Sequence, residues 1–213
     1  MSETDVAVTA RMLDDMIELQ DRHNRAVAED WRERGFDYYR AVWVECAELL
    51  DHFGWKWWKK QTPDDDQVRL ELVDIWHFGL SMLIRDRAPV ADLAARFHDE
   101  VGAARDPEAF RTDVEAMAAA ALTTRSFSVD AFIDCLNAID LDFAGLYRAY
   151  IGKNVLNNFR QHHGYRDGSY RKLWAGREDN EHLMELVAGL DVTAGDFPER
   201  LYDALAERYA ATA

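Results

Sequence analysis

The sequence predicts an all-α protein, and three observations carry that prediction. Apolar residues recur at steps of three and four over long stretches, the pattern of a helix with one buried face. The 213 residues include only 4 Pro and 11 Gly, so few positions break a helix. Two acid pairs, Glu45/Glu48 and Glu71/Asp74, stand at i,i+3 inside otherwise apolar segments, and this spacing puts both carboxylates of a pair on one helix face. The length suits a single domain spanning residues 1–213, and 48% hydrophobic and 12% aromatic residues suffice for a sizeable core.

The first helix is expected over residues 6–29, on the stripe Leu13, Ile17, Gln20, Asn24 and Val27. Two amides interrupt that face; they lie either on an exposed flank or against a pocket. Gly35 ends the pattern, and a second helix over residues 36–53 carries Tyr39, Val42, Trp43, Cys46, Leu49 and Leu50 around the first acid pair. Gly54 stands where a glycine commonly closes a helix. The third helix opens with Thr62 as N-cap, Pro63 at the first helical position and Asp65 in the place of a capping-box partner, and runs to Arg85. Residues 91–124 turn Ala-rich with few large apolar side chains, which reads as a helical insertion or cover over residues 88–128, packed less tightly than the core. Ser128 to Asp130 opens one more long helix, through Phe132, Leu136, Phe143, Leu146, Tyr150 and Val155 to Phe159, with Lys153, Asn157 and Arg160 on one face of its far end. A loop with two glycines, residues 164–170, and two shorter helices near residues 180–189 and 198–210 finish the chain.

The formal net charge of -15 excludes a duplex nucleic-acid binder, which needs a basic face. Cys46 and Cys135 stand in apolar helical contexts without metal-type spacing, and the N-terminus has no signal-peptide pattern; both cysteines read as reduced core residues of a cytoplasmic protein. The apolar run from Glu71 to Ile84 carries Glu71, Asp74 and His77, so it reads as a buried helix and not as a membrane span.

Four acids in a helical core cannot all stay ionised without a cation between them. Hard oxygen ligands with no accompanying cysteine point to Mg²⁺ or Mn²⁺ and away from zinc. His77, one turn beyond Asp74, suits a substrate or supporting contact better than ligation of a hard cation. Carboxylate-held Mg²⁺ keeps positions for phosphate oxygens, and Lys153, Arg160, Arg166, Arg171, Lys172 and Arg177 could neutralise a triphosphate, or form a solvated basic rim. Trp55, Trp57 and Trp58 form either a stacking platform for a base or a hydrophobic plug or dimer surface. Gln20, Asn24 and Asn157 offer amides to a base edge, but an amide presents both donor and acceptor and does not by itself separate uracil from cytosine.

Together these residues resemble the dimeric, all-α dUTPases of the MazG-like nucleotide pyrophosphohydrolase superfamily. The acid pairs carry the superfamily-level likeness. Residues 54–59, Glu71 to Phe78, Gly152 to Arg160, Gly164-Tyr165, Tyr170 to Lys172, Trp174 and Glu178 to Asn180 look like the dUTPase branch. The likeness spans residues 10–85 and 130–185, and His23 departs from the aliphatic residue expected there. It implies an all-α NTP-pyrophosphatase bundle with a helical insertion, working as a homodimer in dUMP biosynthesis. It implies Mg²⁺ on Glu45, Glu48, Glu71 and Asp74, with a metal-activated water and Glu45 or Glu48 as base. It places Gln20, Asn24, Trp57, His77, Phe78 and Asn157 around deoxyuridine, and Lys153, Arg160, Tyr165, Lys172 and Asn180 on the phosphates. The implied reaction takes dUTP, and dUDP, to dUMP. A pyrophosphatase for dCTP or another nucleotide is the alternative, and a non-catalytic nucleotide- or protein-binding module comes third.

Overall fold

A computed structural model describes residues 3–192 and 194–212. The helices are α1 (Glu3–Val27), α2 (Tyr38–Phe53), α3 (Asp65–Arg85), α4 (Val90–Glu100), α5 (Phe110–Thr124), α6 (Val129–Ala138), α7 (Phe143–His162), α8 (Asp179–Ala188) and α9 (Phe197–Ala211), with a 3₁₀ turn at Pro107–Ala109. Two-residue strands β1 (Leu173–Trp174) and β2 (Arg177–Glu178) pair antiparallel and make the one sheet among the described residues. The all-α class is therefore correct. Among the described residues no helix is long and apolar enough to cross a membrane.

The chain divides into two compact units, Met1–Leu146 and Tyr147–Ala213. In the first, α3 is the central element. Val68, Leu72, Val73, Ile75, Trp76, Leu80 and Met82 are all buried along it, and it packs against both α2 and α1. Trp76 stacks on Phe132 with ring centroids 5.2 Å apart and donates its indole N–H to Met16 Sδ at 3.3 Å. Gly79 is required here, because a Cβ would lie 2.4 Å from the Phe127 ring. Each large apolar side chain buried in this way contributes about 1.5–3 kcal/mol.

Three sequence expectations need correction. The α3 N-cap is Asp64, whose carboxylate accepts from the Gln67 N–H; Thr62 and Pro63 lie before the helix. A carboxylate cap two residues downstream competes well with a threonine. The long helix from residue 128 to residue 159 is two helices. Asp140 turns left-handed at φ 52°, and Asp142 caps the restart by accepting from the Gly145 N–H at 2.7 Å. The Ala-rich segment is core: Phe97, Phe110, Val114, Met117 and Ala121 are buried, α5 packs on α2, and the Phe110 ring lies 4.4 Å from Phe53. Its large residues are few, but Phe110, Val114 and Met117, continued by the buried Ala121, form a helical stripe.

In the second unit the Phe159 ring is surrounded by His163, Tyr170, Trp174, Tyr202 and Tyr209. Trp174 donates its indole N–H to the Arg171 carbonyl oxygen at 2.7 Å, tying the β-hairpin to this cluster.

Candidate active site

The α2–α3 seam brings the acids together. Glu45, Glu71 and Asp74 each present a carboxylate oxygen, and the three oxygens lie within 4.8 Å of one another. Glu71 is buried, while Glu45 and Asp74 are half-buried. Burial first, then a hydrogen bond donated to Glu71 and the charges of Asp74, Glu48 and Glu71, push the Glu45 carboxyl up to about 7. Burial also raises Glu71, against the hydrogen bond from Glu45 and the nearby His52, whose Nε2 is 3.5 Å from Glu71 Oε1. Carboxylates gathered this closely retain a proton unless a cation replaces it. The all-oxygen donor set thus fits a divalent metal ion. Glu48 stands apart: it is exposed on α2 and outside the group of three, yet near enough for its charge to act on Glu45 and Glu71.

Further along α3 the same stripe carries His77, half-buried, and Ser81, buried. Gln20 and Asn24 of α1 face them, 3% and 5% exposed, so the exposed-flank reading of these amides is wrong. Gln20 Oε1 lies 2.8 Å from His77 Nδ1. Gln20 Nε2 donates to Asn24 Oδ1 at 3.0 Å and to Ser81 Oγ at 3.0 Å, and Asn24 Nδ2 donates to Ser81 Oγ at 2.9 Å. Phe78 is half-buried, its ring 6.5 Å from Tyr38.

The tryptophan loop between α2 and α3 is held at its base. Gln61 Oε1 accepts from the backbone N–H groups of Trp55 and Lys56, Asp51 takes the Trp55 indole and the Lys56 ammonium, and Arg111 Nε donates to the Gly54 carbonyl. From this anchored loop Trp57 projects 90% exposed, with Trp58 at 57% and Trp55 at 46%. An aromatic face that exposed is available for stacking.

In the second unit Arg160 is held by its neighbours: Nε and Nη2 each donate to Asp179 at 2.8 Å, Nη1 to Asn157 Oδ1 at 3.2 Å, and Nη2 also to Asn180 at 3.3 Å. Lys153 and Asn157 are half-buried on α7; Tyr165, Lys172 and Asn180 are exposed. The basic cluster is smaller than its sequence count, because Arg177 pairs with Glu185 at 2.7 Å, Lys172 lies 3.4 Å from Glu178, and Arg171 donates to backbone oxygens of Tyr209 and Thr212.

A family model described as dUTPase matches residues 12–165, most of the chain and all four acids. The chain belongs to the all-α dUTPase family. Membership carries dUTP diphosphatase activity, a nucleotide substrate and the family's usual dependence on a metal ion. No curated protein matches the chain.

Three further residues contact the predicted ones in this dUTPase: His52 lies against Glu71, Ser81 against Gln20 and Asn24, and Asp179 against Arg160. His52 falls seven residues after Glu45 on α2 and Ser81 falls seven after Asp74 on α3, so the stripes that revealed the acids also point to both. Asp179, which holds Arg160, was not legible, since its partner lies 19 positions away on another helix.

The acid group makes the metal-free dUTPase pH-sensitive. Glu45 has a raised folded-state value of about 7 against an ordinary 4.5, so the folded state binds its proton more tightly than the unfolded chain does. Stability therefore falls as pH rises from 4.5 to 7, and the loss persists above that window. Discounted for the partial exposure of Glu45, it is on the order of 1–2 kcal/mol. Urea midpoints in chelator should fall between pH 5 and pH 8, and Glu45→Gln should flatten that dependence. An equal slope in the variant would contradict the assignment.

Proposed function

We propose that the chain hydrolyses dUTP to dUMP and pyrophosphate, and dUDP to dUMP and phosphate, in a Mg²⁺-dependent reaction. The observation that carries this reading is the convergence of Glu45, Glu71 and Asp74 within 4.8 Å in a chain of the dUTPase family. Glu45, Glu71 and Asp74 would hold the cation, with Glu48 completing its carboxylate surroundings. A bound Mg²⁺ supplies charge neutralisation on the phosphates and a more acidic water. Glu45 accepts the proton of the attacking water, because its carboxylate stands beside Glu71 and Asp74, where that water would be held.

Gln20, Asn24, Trp57, His77, Phe78 and Asn157 bind the deoxyuridine, with the exposed Trp57 as stacking face. Lys153, Arg160, Tyr165, Lys172 and Asn180 contact the phosphates. We place the enzyme in the cytoplasm as a homodimer serving dUMP biosynthesis. The test is kcat/KM for dUTP, dCTP and dTTP side by side with Mg²⁺. dUTP should lead each competitor by more than about tenfold, or 1.4 kcal/mol of transition-state discrimination. A lead for dCTP would replace this reading with that of a dCTP pyrophosphatase.

A further inference from the structure

Ser81 has no exposed surface, and its hydroxyl makes three hydrogen bonds. It donates to the His77 carbonyl oxygen at 2.9 Å and accepts from Gln20 Nε2 at 3.0 Å and Asn24 Nδ2 at 2.9 Å. A hydroxyl has one proton and two lone pairs, and this set uses all of them. With its proton held by backbone, Ser81 can only accept, so both amides turn their NH₂ groups toward it.

The 3.0 Å bond from Gln20 Nε2 to Asn24 Oδ1 closes a triangle with no equivalent flipped form. Turning Gln20 alone sets two oxygens face to face, and turning Asn24 alone sets two NH₂ groups face to face. Turning both puts two oxygens against a hydroxyl that has one proton. Gln20 Oε1 is thereby directed at His77 Nδ1, 2.8 Å away. An oxygen that only accepts obliges Nδ1 to carry its proton, which leaves the lone pair of the neutral ring on Nε2. One serine thus sets the donor and acceptor directions of two amides and one imidazole.

We propose that Ser81 is a specificity-determining positioning residue: by fixing the polarity of the Gln20, Asn24 and His77 network it sets the preference for uracil over cytosine. This rests on the reading above that those three residues face the base. Uracil presents N3–H as a donor between two carbonyl acceptors; cytosine presents N3 as an acceptor beside an amino donor. A freely turning amide serves either pattern. An amide held in one orientation leaves a buried polar mismatch with the wrong base, which is costly.

The test compares full-length wild type, Ser81→Ala and Gln20→Ala by steady-state kinetics on dUTP and dCTP, with thermal melts to establish folding. In Ser81→Ala the dUTP/dCTP ratio of kcat/KM should fall about tenfold, mainly through a higher KM for dUTP with kcat nearly kept, because the base is remote from the scissile bond. An unchanged ratio in folded Ser81→Ala overturns the proposal, as does a wild-type ratio near one. Should Ser81→Ala not fold, Ser81→Cys fills the same space with a sulfur that accepts poorly, and it faces the same criterion. Gln20→Ala separates the two levels. If it collapses the ratio and Ser81→Ala does not, only the role of Ser81 fails; if both leave it intact, the base-facing reading fails too.

Discussion

Asp74→Asn and Glu71→Gln each lower kcat/KM for dUTP by at least about a hundredfold, because each removes one of the charges that make the three-carboxylate group a cation site. Neither change removes much packing volume, and both relieve the repulsion that lifts Glu45. Without metal, both variants should therefore melt no lower than wild type while being nearly inactive. Loss of activity with retained stability is the expected signature of a site strained for function. Glu48→Gln should cost less, because Glu48 is exposed and outside the group of three. Steady-state rates and chelator-treated melts of the three variants check the order. Turnover near wild type in Asp74→Asn and Glu71→Gln would remove the metal assignment altogether.

Asp179→Ala gives the largest loss of stability expected in the second unit. Asp179 is fully buried at the start of α8, where its carboxylate takes two hydrogen bonds from Arg160 and a third from the Tyr170 hydroxyl at 2.7 Å. Burial raises this carboxyl, but those bonds outweigh it and hold the group below its ordinary value. Removing it leaves a mostly buried guanidinium without its counter-charge, which costs about 3–5 kcal/mol. The melting temperature of a chain this size should fall by roughly 10 °C. The double variant Arg160→Met/Asp179→Leu should recover a large part of the loss, since the penalty comes from the uncompensated charge more than from the missing pair. A single variant that melts within a degree or two of wild type would contradict this account of α7 and α8.

What could be read from the sequence follows from which interactions are local. The acids at 45, 71 and 74 were legible because each pair repeats within one helical turn in an apolar stretch, and burial then follows from the stripe. The same periodicity concealed the break after α6. Leu136, Ile139, Phe143 and Leu146 keep the spacing of three and four across the break, and the turn is made by Asp140, a residue less often left-handed than glycine. Composition misled at residues 91–124, where many alanines mask the buried stripe of Phe110, Val114, Met117 and Ala121. Long-range pairing lay beyond periodicity: nothing near Arg160 announces Asp179, and nothing near Gln20 announces that Ser81, 61 positions on, fixes its amide. The exclusion of Glu48 from the carboxylate group is equally a matter of how α2 is rotated against α3, which i,i+3 spacing leaves open.

The most direct test of the central claim follows products from dUTP as Mg²⁺ is titrated into chelator-treated wild-type enzyme. The account predicts no turnover without the ion, saturable recovery with it, and release of dUMP and pyrophosphate in equal amounts. Turnover indifferent to chelator, or orthophosphate as the first product, would contradict it.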